Sequence, residues 1–305
     1  MDPHHQPLRG IALKLLSVVF LSTMSAGVKY LGEDIPAGQT IFVRSLIAAA
    51  TMAIIACGSG RAHLLTTRNW RSHALRSTAG AGGMFLWFVA LAHAPIADVT
   101  AVNYMTPIFL TVLAASLLGE RFRMHRWIAV AIGGVGAVIT IAPYLSLHAR
   151  HTFGIALALG SALLSAFAMM FLRGMSRLEH PITITFYFSL TTLVAAAFTA
   201  LPGWPMPSAQ QWAIIGLVGV LGTAAQLLQT IAYRYAEASI MAPLEYSSMI
   251  VILLIGYVVF DEIPGPTIWI GTPLIIASGL VILWREARRR DAPAREQISE
   301  QRSAK

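Results

Sequence analysis

Ten runs of mainly apolar residues, each bounded by glycine, proline or charge, occupy 11–31, 38–57, 75–92, 99–118, 127–143, 153–172, 182–201, 212–233, 240–260 and 268–284. Each is longer than a buried strand requires and close to the roughly 20 residues a helix needs to cross a hydrocarbon core. The chain is therefore predicted to be an all-α membrane protein with ten transmembrane helices. Short links, such as His93 to Asp98 and Tyr235 to Ser239, make the helices they join antiparallel neighbours. Of 305 residues 56% are hydrophobic and 12% charged, where a soluble domain carries about 25% charged. Little is left for a soluble catalytic domain. The first run is read as a span rather than a signal peptide, because Lys14 interrupts it and a counterpart recurs later.

The single cysteine, Cys57, excludes an intramolecular disulfide and a multi-cysteine metal site. The close histidine pairs, His4 with His5 and His148 with His151, have no thiol or carboxylate set around them, so no metal or cofactor is expected. A formal net charge of +8 invites a nucleic-acid reading, but the basic residues are placed as membrane topology demands. With the N-terminus in the cytoplasm, eighteen of the 22 Lys and Arg fall in cytoplasmic loops and tails, where such residues are retained. Lys29 and Arg150 fall toward the outer side, while Lys14 and Arg44 lie within spans. Both termini are then cytoplasmic, with a short tail over 1–8 and a basic one over 286–305.

Gly10-Ile11-Ala12-Leu13 recurs 144 residues later as Gly154-Ile155-Ala156-Leu157, and the same offset carries Lys29 onto Arg173 and Phe42 onto Phe186. An offset of 142 aligns Ala94 with Ala236, Tyr104 with Tyr246, Glu120 with Glu262 and Trp127-Ile128 with Trp269-Ile270. The spans thus divide into two five-helix repeats, over 9–145 and 150–285. An odd number of spans per copy inverts the second copy. Two inverted repeats about a pseudo-two-fold axis in the membrane plane are the architecture of alternating access, with the site near the midplane. The leading reading is a carrier whose partners are a small-molecule substrate and the lipid bilayer.

Several segments add a family resemblance. Leu117-Leu118-Gly119-Glu120, Val259-Phe260-Asp261-Glu262, Phe42-Val43-Arg44 and Ala242-Pro243-Leu244-Glu245-Tyr246 resemble the paired EamA domains of the drug/metabolite transporter superfamily. The resemblance covers roughly 9–285 and implies a ten-helix secondary carrier of the inner membrane, its cavity lined by helices of both halves. It implies amino acids, their derivatives or vitamins as substrates without choosing among them. One departure stands out: Pro107 of the first copy is Met249 in the second.

Ionisable residues in lipid are costly and mark pathways. Glu245 lies about 9 Å into the ninth span from its inner end, and Arg44 about 9 Å into the second from its outer end. Across a core of about 30 Å their backbones differ in height by about 12 Å. That gap is wide for a direct salt bridge and would suit a small zwitterion with its carboxylate on Arg44 and its amine on Glu245. Glu245 is also the candidate for proton coupling. Lys14 is expected to snorkel to the inner surface instead. Repeat-related neighbours complete the candidate substrate site: Asn103 and Tyr104 with Tyr246 beside Glu245, and Trp87 with Gln226 and Gln229, where Trp87 aligns with Gln229 and Met84 with Gln226. The alternative role of these polar side chains is interhelical hydrogen bonding. Asp98 is expected to cap the fourth helix. The runs Ala79-Gly80-Ala81-Gly82-Gly83 and Gly133-Gly134-Val135-Gly136 lack the Lys-Ser/Thr ending of a phosphate loop and are read as close helix packing.

Two other classes compete with the carrier. A membrane-embedded enzyme acting on lipid or isoprenoid would need a catalytic cluster of acid, histidine or serine inside the spans, and none is spaced that way. A non-transporting subunit would have no need of Glu245.

Overall fold

The computed structural model describes residues 7–118, 124–142, 149–175, 179–235, 244–278 and 280–281, and among these there are helices, turns and no strand. The order is α1 Pro7–Leu31, α2 Ala37–Gly58, a 3-10 turn Ala62–Leu65, α3 Trp70–His93, α4 Ile96–Asn103, α5 Thr106–Leu118 and α6 Met124–Ile141. There follow α7 Ala149–Met175, α8 Pro181–Phe198, α9 Ala209–Tyr235 and α10 Ser248–Phe260, then α11 Pro266–Ser278. Six described helices are long and apolar enough to cross a membrane: Leu8–Leu31, Ala37–Gly58, Trp70–His93, His151–Leu172, Pro181–Phe198 and Ala209–Gln229.

The ends follow local chemistry. Gly32, at φ +55°, closes α1 in a conformation that a side chain resists. Pro36 precedes α2, and Pro181 opens α8 behind His180, whose Nδ1 accepts the N–H of Ile182. Asp261 enters the left-handed region at the end of α10, and Glu262 N–H reaches Gly256 O at 2.9 Å. The N–H of Asp261 reaches the same oxygen, so two donors close on one carbonyl of the last turn.

The fourth and ninth spans are not the continuous helices expected over 99–118 and 240–260. The fourth starts earlier, at Ile96, and breaks at Tyr104-Met105. Pro107 supplies no N–H and its ring crowds the carbonyl of Asn103, which instead accepts Thr106 Oγ1 at 2.7 Å. Of the ninth, 240–243 lie outside the described residues; helical 244–245 gives way to a turn at Tyr246-Ser247 before α10. Met249 can donate its N–H here, so proline is not the cause. Hydroxyls take the carbonyls: Ser247 Oγ donates to Leu244 O at 2.6 Å and Ser248 Oγ to Glu245 O at 2.7 Å. Thr106 to Asn103 and Ser248 to Glu245 are the same bond 142 residues apart.

Packing crosses between the first and second halves of the chain. α1 lies on α9 and α3 on α7; α2 lies on α9 and α3 on α8; α2 faces α8, and α4 meets α10. The shared core holds Phe88, Leu91, Val99, Tyr104, Val218, Tyr246 and Met249. The polarity is inverted relative to a water-soluble protein. Ile54, Ile250, Leu254 and Val258 are exposed, whereas Lys14, Arg44, Ser45, His73, Asp98 and Thr192 are buried. A bilayer solvates such an exterior.

Both small-residue runs sit at helix crossings. A Cβ on Gly80 would stand 2.9 Å from Phe188, and one on Gly83 would stand 3.1 Å from Ser165 Oγ. One on Gly136 would stand 2.7 Å from the backbone oxygen of Gly271, while Gly134 faces open space. Gly136→Leu is therefore expected to force α6 from α11 and lower stability by about 1–3 kcal/mol or more, with Gly134→Leu near neutral. Thermal melting of the two purified variants in detergent checks this, and equal melting points would refute the crossing.

Candidate functional site

The two helix breaks meet in the core. The rings of Tyr104 and Tyr246 lie 5.1 Å apart, edge to face at 74°. Tyr104 OH bonds Ser248 Oγ at 2.5 Å and approaches Tyr246 O at 3.5 Å, so a side chain of one broken helix satisfies the other. Among the described residues Tyr246 OH is buried without a partner. Asn103 donates to Ser161 Oγ at 3.4 Å, and Ser161 donates to Gly83 O at 2.8 Å, linking α4 to α7 and α3. Here the interhelical reading of a polar side chain fits Asn103 directly.

Glu245 stands one residue before the second break. Its Oε1 pairs with Lys14 Nζ, joining the ninth span to α1. The Lys14 side chain is 0% exposed and that of Glu245 is 39% exposed. This corrects the expectation that Lys14 snorkels outward. The rotation of α1 is set by packing on α9, where Ser17 Oγ donates to Ala225 O at 2.8 Å. Lys14 shares that buried face, so its ammonium finds a carboxylate instead of water.

Arg44, 8% exposed, is held apart from this pair. Its Nη1 contacts Met84 Sδ at 2.9 Å, and its Nε is buried with no partner among the described residues. A thioether is a weak acceptor for a cation with five donors. Arg44 fits because α9 carries glycine opposite it: a Cβ on Gly222 would stand 2.7 Å from Arg44 Nε and 2.8 Å from Met24 Sδ. Met24 is ten residues along α1 from Lys14, about 15 Å of helix. Arg44 and Glu245 thus occupy separate levels of the bundle. Gln226 and Gln229 lie about one and two turns from Gly222 on α9, half-buried, and Trp87 is half-buried on α3, one turn from Met84. Reading the sequence missed Lys14, Thr106 and Ser248. Their signal was a charge within a span and hydroxyls three residues after Asn103 and Glu245.

At the other end of the bundle Lys29 Nζ pairs with Glu262 Oε1 at 2.7 Å and donates to Ala94 O at 3.0 Å. Glu262 Oε2 accepts the N–H of Ile96 at 3.1 Å. The first N–H of α4 is therefore taken by Glu262, and Asp98 lies in the first turn of the helix rather than before it. A cavity beside this cluster is lined by Pro95, Asp98, Gly256 and Ile268.

Apolar helices around a charged, hydrogen-bonded interior define a multi-pass membrane protein. The chain belongs to the EamA-like transporter family, whose sequence model matches residues 8–142 and again 152–284. It is a membrane transporter. The chain is 26% identical over 280 residues to the S-adenosylmethionine uptake transporter of Rickettsia bellii, covering 92% of this chain and 94% of that one. It is 30% identical over 236 residues to the riboflavin transporter of Rhizobium johnstonii, covering 77% of each. It is 26% identical over 275 residues to the pseudopaline exporter CntI of Pseudomonas aeruginosa, covering 90% and 95%. A solved crystal structure shares the fold, with TM-score 0.63, 20% identity and 92% and 98% coverage.

Proposed function

We propose that the chain is a secondary carrier that moves a small polar metabolite across the inner membrane by alternating access. In this reading ten spans form two inverted five-helix repeats with both termini in the cytoplasm. The carrying observation is the meeting of two broken helices, 142 residues apart in sequence, with an enclosed lysine paired to a part-exposed glutamate beside them. Discontinuous helices facing each other at a repeat interface are where such carriers hold substrate. The crossed packing of α1 on α9 and α3 on α7 supports two equivalent halves. The substrate site proposed is Glu245, Tyr246, Tyr104 and Asn103 at the breaks, with Arg44, Trp87, Gln226 and Gln229 on the neighbouring level.

The favoured substrate is an amino-acid derivative long enough to reach both levels. Its cationic group would meet Glu245 and its carboxylate Arg44. Relatives named for S-adenosylmethionine uptake favour this class. Relatives named as riboflavin transporters favour a flavin as the second reading. Glu245 would accept a proton when substrate leaves, giving proton coupling.

The test is counterflow in proteoliposomes with labelled S-adenosylmethionine, amino acids and riboflavin. Accumulation in sealed vesicles, abolished by permeabilising them, is expected for one member of the panel. A membrane-embedded enzyme would instead turn over lipid in detergent with no second compartment. Failure of all three substrate classes would remove the substrate reading, and turnover in detergent would replace the carrier.

A further inference from the structure

Half of the buried polar side-chain atoms that lack a hydrogen-bond partner among the described residues belong to one face of one helix. They are His73 Nδ1 and Nε2, Arg76 Nε and Nη1, and Ser77 Oγ on α3. Positions 73, 76 and 77 are spaced i, i+3, i+4 and share a side of the helix. His73 and Ser77 are almost wholly enclosed. Buried polar groups are hydrogen-bonded in about nine cases in ten, so five open atoms together, one of them the acceptor nitrogen of a neutral His73 ring, call for a partner.

The surroundings say what kind. The Arg76 guanidinium carbon lies 4.5 Å over the Phe188 ring, and the His73 ring lies 4.8 Å from that of Tyr187, both on α8. The aromatic contact satisfies the flat face of the cation and leaves its in-plane N–H groups open. The nearest acid is Glu179, 3.9 Å from His73 and beyond hydrogen-bond reach. Its Oε1 is already committed to Thr67 at 2.7 Å and Asn69 at 3.0 Å. The 3-10 turn closes the site by backbone oxygens, since Leu64 O accepts Thr183 Oγ1 at 2.7 Å and Leu65 O accepts Tyr187 OH at 3.3 Å. Arg61 and Arg68 stand exposed on the connection and Arg71 on the first turn of α3, so the approach is positive.

We propose that His73, Arg76 and Ser77 form a binding site for an oxyanion, phosphate or carboxylate in class, between α3, α8 and the 3-10 turn. This site is separate from the helix breaks and does not depend on the carrier reading. The ligand supplies acceptors only, which is what three donors need: Arg76 provides the charge, Ser77 a hydroxyl, and His73 an N–H from either tautomer. Two sources share that chemistry, the headgroup of an anionic lipid and a soluble phosphate.

The experiment is thermal melting of the full chain, first in phosphatidylcholine nanodiscs with sodium phosphate against sodium chloride at equal ionic strength. The second arm uses nanodiscs of phosphatidylglycerol against phosphatidylcholine without phosphate. A saturable rise in melting point in the first arm identifies a soluble oxyanion, and a rise in the second alone identifies the lipid headgroup; either supports the site. Arg76→Gln should weaken that binding about ten-fold or more, because a hydrogen bond to a charged group is lost. Ser77→Ala deletes an unpartnered hydroxyl, so the ligand-free protein should melt unchanged while the ligand-induced rise shrinks. This second variant reads binding even if Arg76→Gln misfolds. No rise in either arm, or a rise that both variants retain in full, would overturn the proposal.

Discussion

Replacing Glu245 by Gln should cost both stability and transport. The change leaves the Lys14 ammonium fully enclosed and facing a neutral amide, a state that is strongly unfavourable for a buried ion. A pair buried on both sides loses about 3–5 kcal/mol when one partner is removed. Glu245 is 39% exposed, and water reaching it reduces the figure here to about 2–3 kcal/mol. The double change of Lys14→Met with Glu245→Gln removes the stranded charge and should recover most of that loss, but not transport. A double-mutant cycle on melting in detergent measures the coupling directly. A Glu245→Gln protein as stable as the parent would show that the pair contributes nothing to the fold. Full transport by the rescued double variant would remove Glu245 from both the substrate site and proton coupling.

Much of this fold is legible in hydropathy alone. Length and apolarity mark the helices, and glycine runs mark the crossings of α3 and α6. The breaks are not legible that way, because Tyr104-Met105 and Tyr246-Ser247 sit inside apolar stretches. Pro107 is a visible warning for the first. The second depends on Ser247 and Ser248 drawing carbonyls out of the helical ladder, a local competition that hydropathy does not register. The place of Lys14 is likewise a question of rotation. Lys14, Ser17, Ser25 and Val28 are all buried on α1, while Leu16 and Val19 are exposed, so the inward stripe was present in the pattern of small and polar residues. Reading one lysine by itself favoured the surface, whereas reading the stripe favours the interior. The site is harder still, since Arg44 and Glu245 come from opposite halves of the chain. Their separation depends on which turn of α1 each faces.

Arg44 should behave in the opposite way to Glu245. Its one contact through hydrogen in the described structure is to a thioether, and its Nε is already unsatisfied, so its removal strands no partner. Arg44→Met replaces an enclosed cation with an apolar chain of comparable length against Met24 and Met84. Melting should hold or rise, because replacing buried charge by a well-packed apolar group is often neutral or stabilising. Transport should fall about ten-fold or more for a substrate whose carboxylate uses Arg44, the loss of one charge-assisted bond. Gly222→Ala offers a second route to the same end while keeping the arginine. The added carbon would stand 2.7 Å from Arg44 Nε, so the guanidinium must move. Both variants are read by initial uptake rates beside melting in detergent. If Arg44→Met transports normally, the arginine belongs to packing and the substrate has no carboxylate at that level. If it unfolds the protein, the guanidinium has a structural partner, and the open Nε is not waiting for substrate.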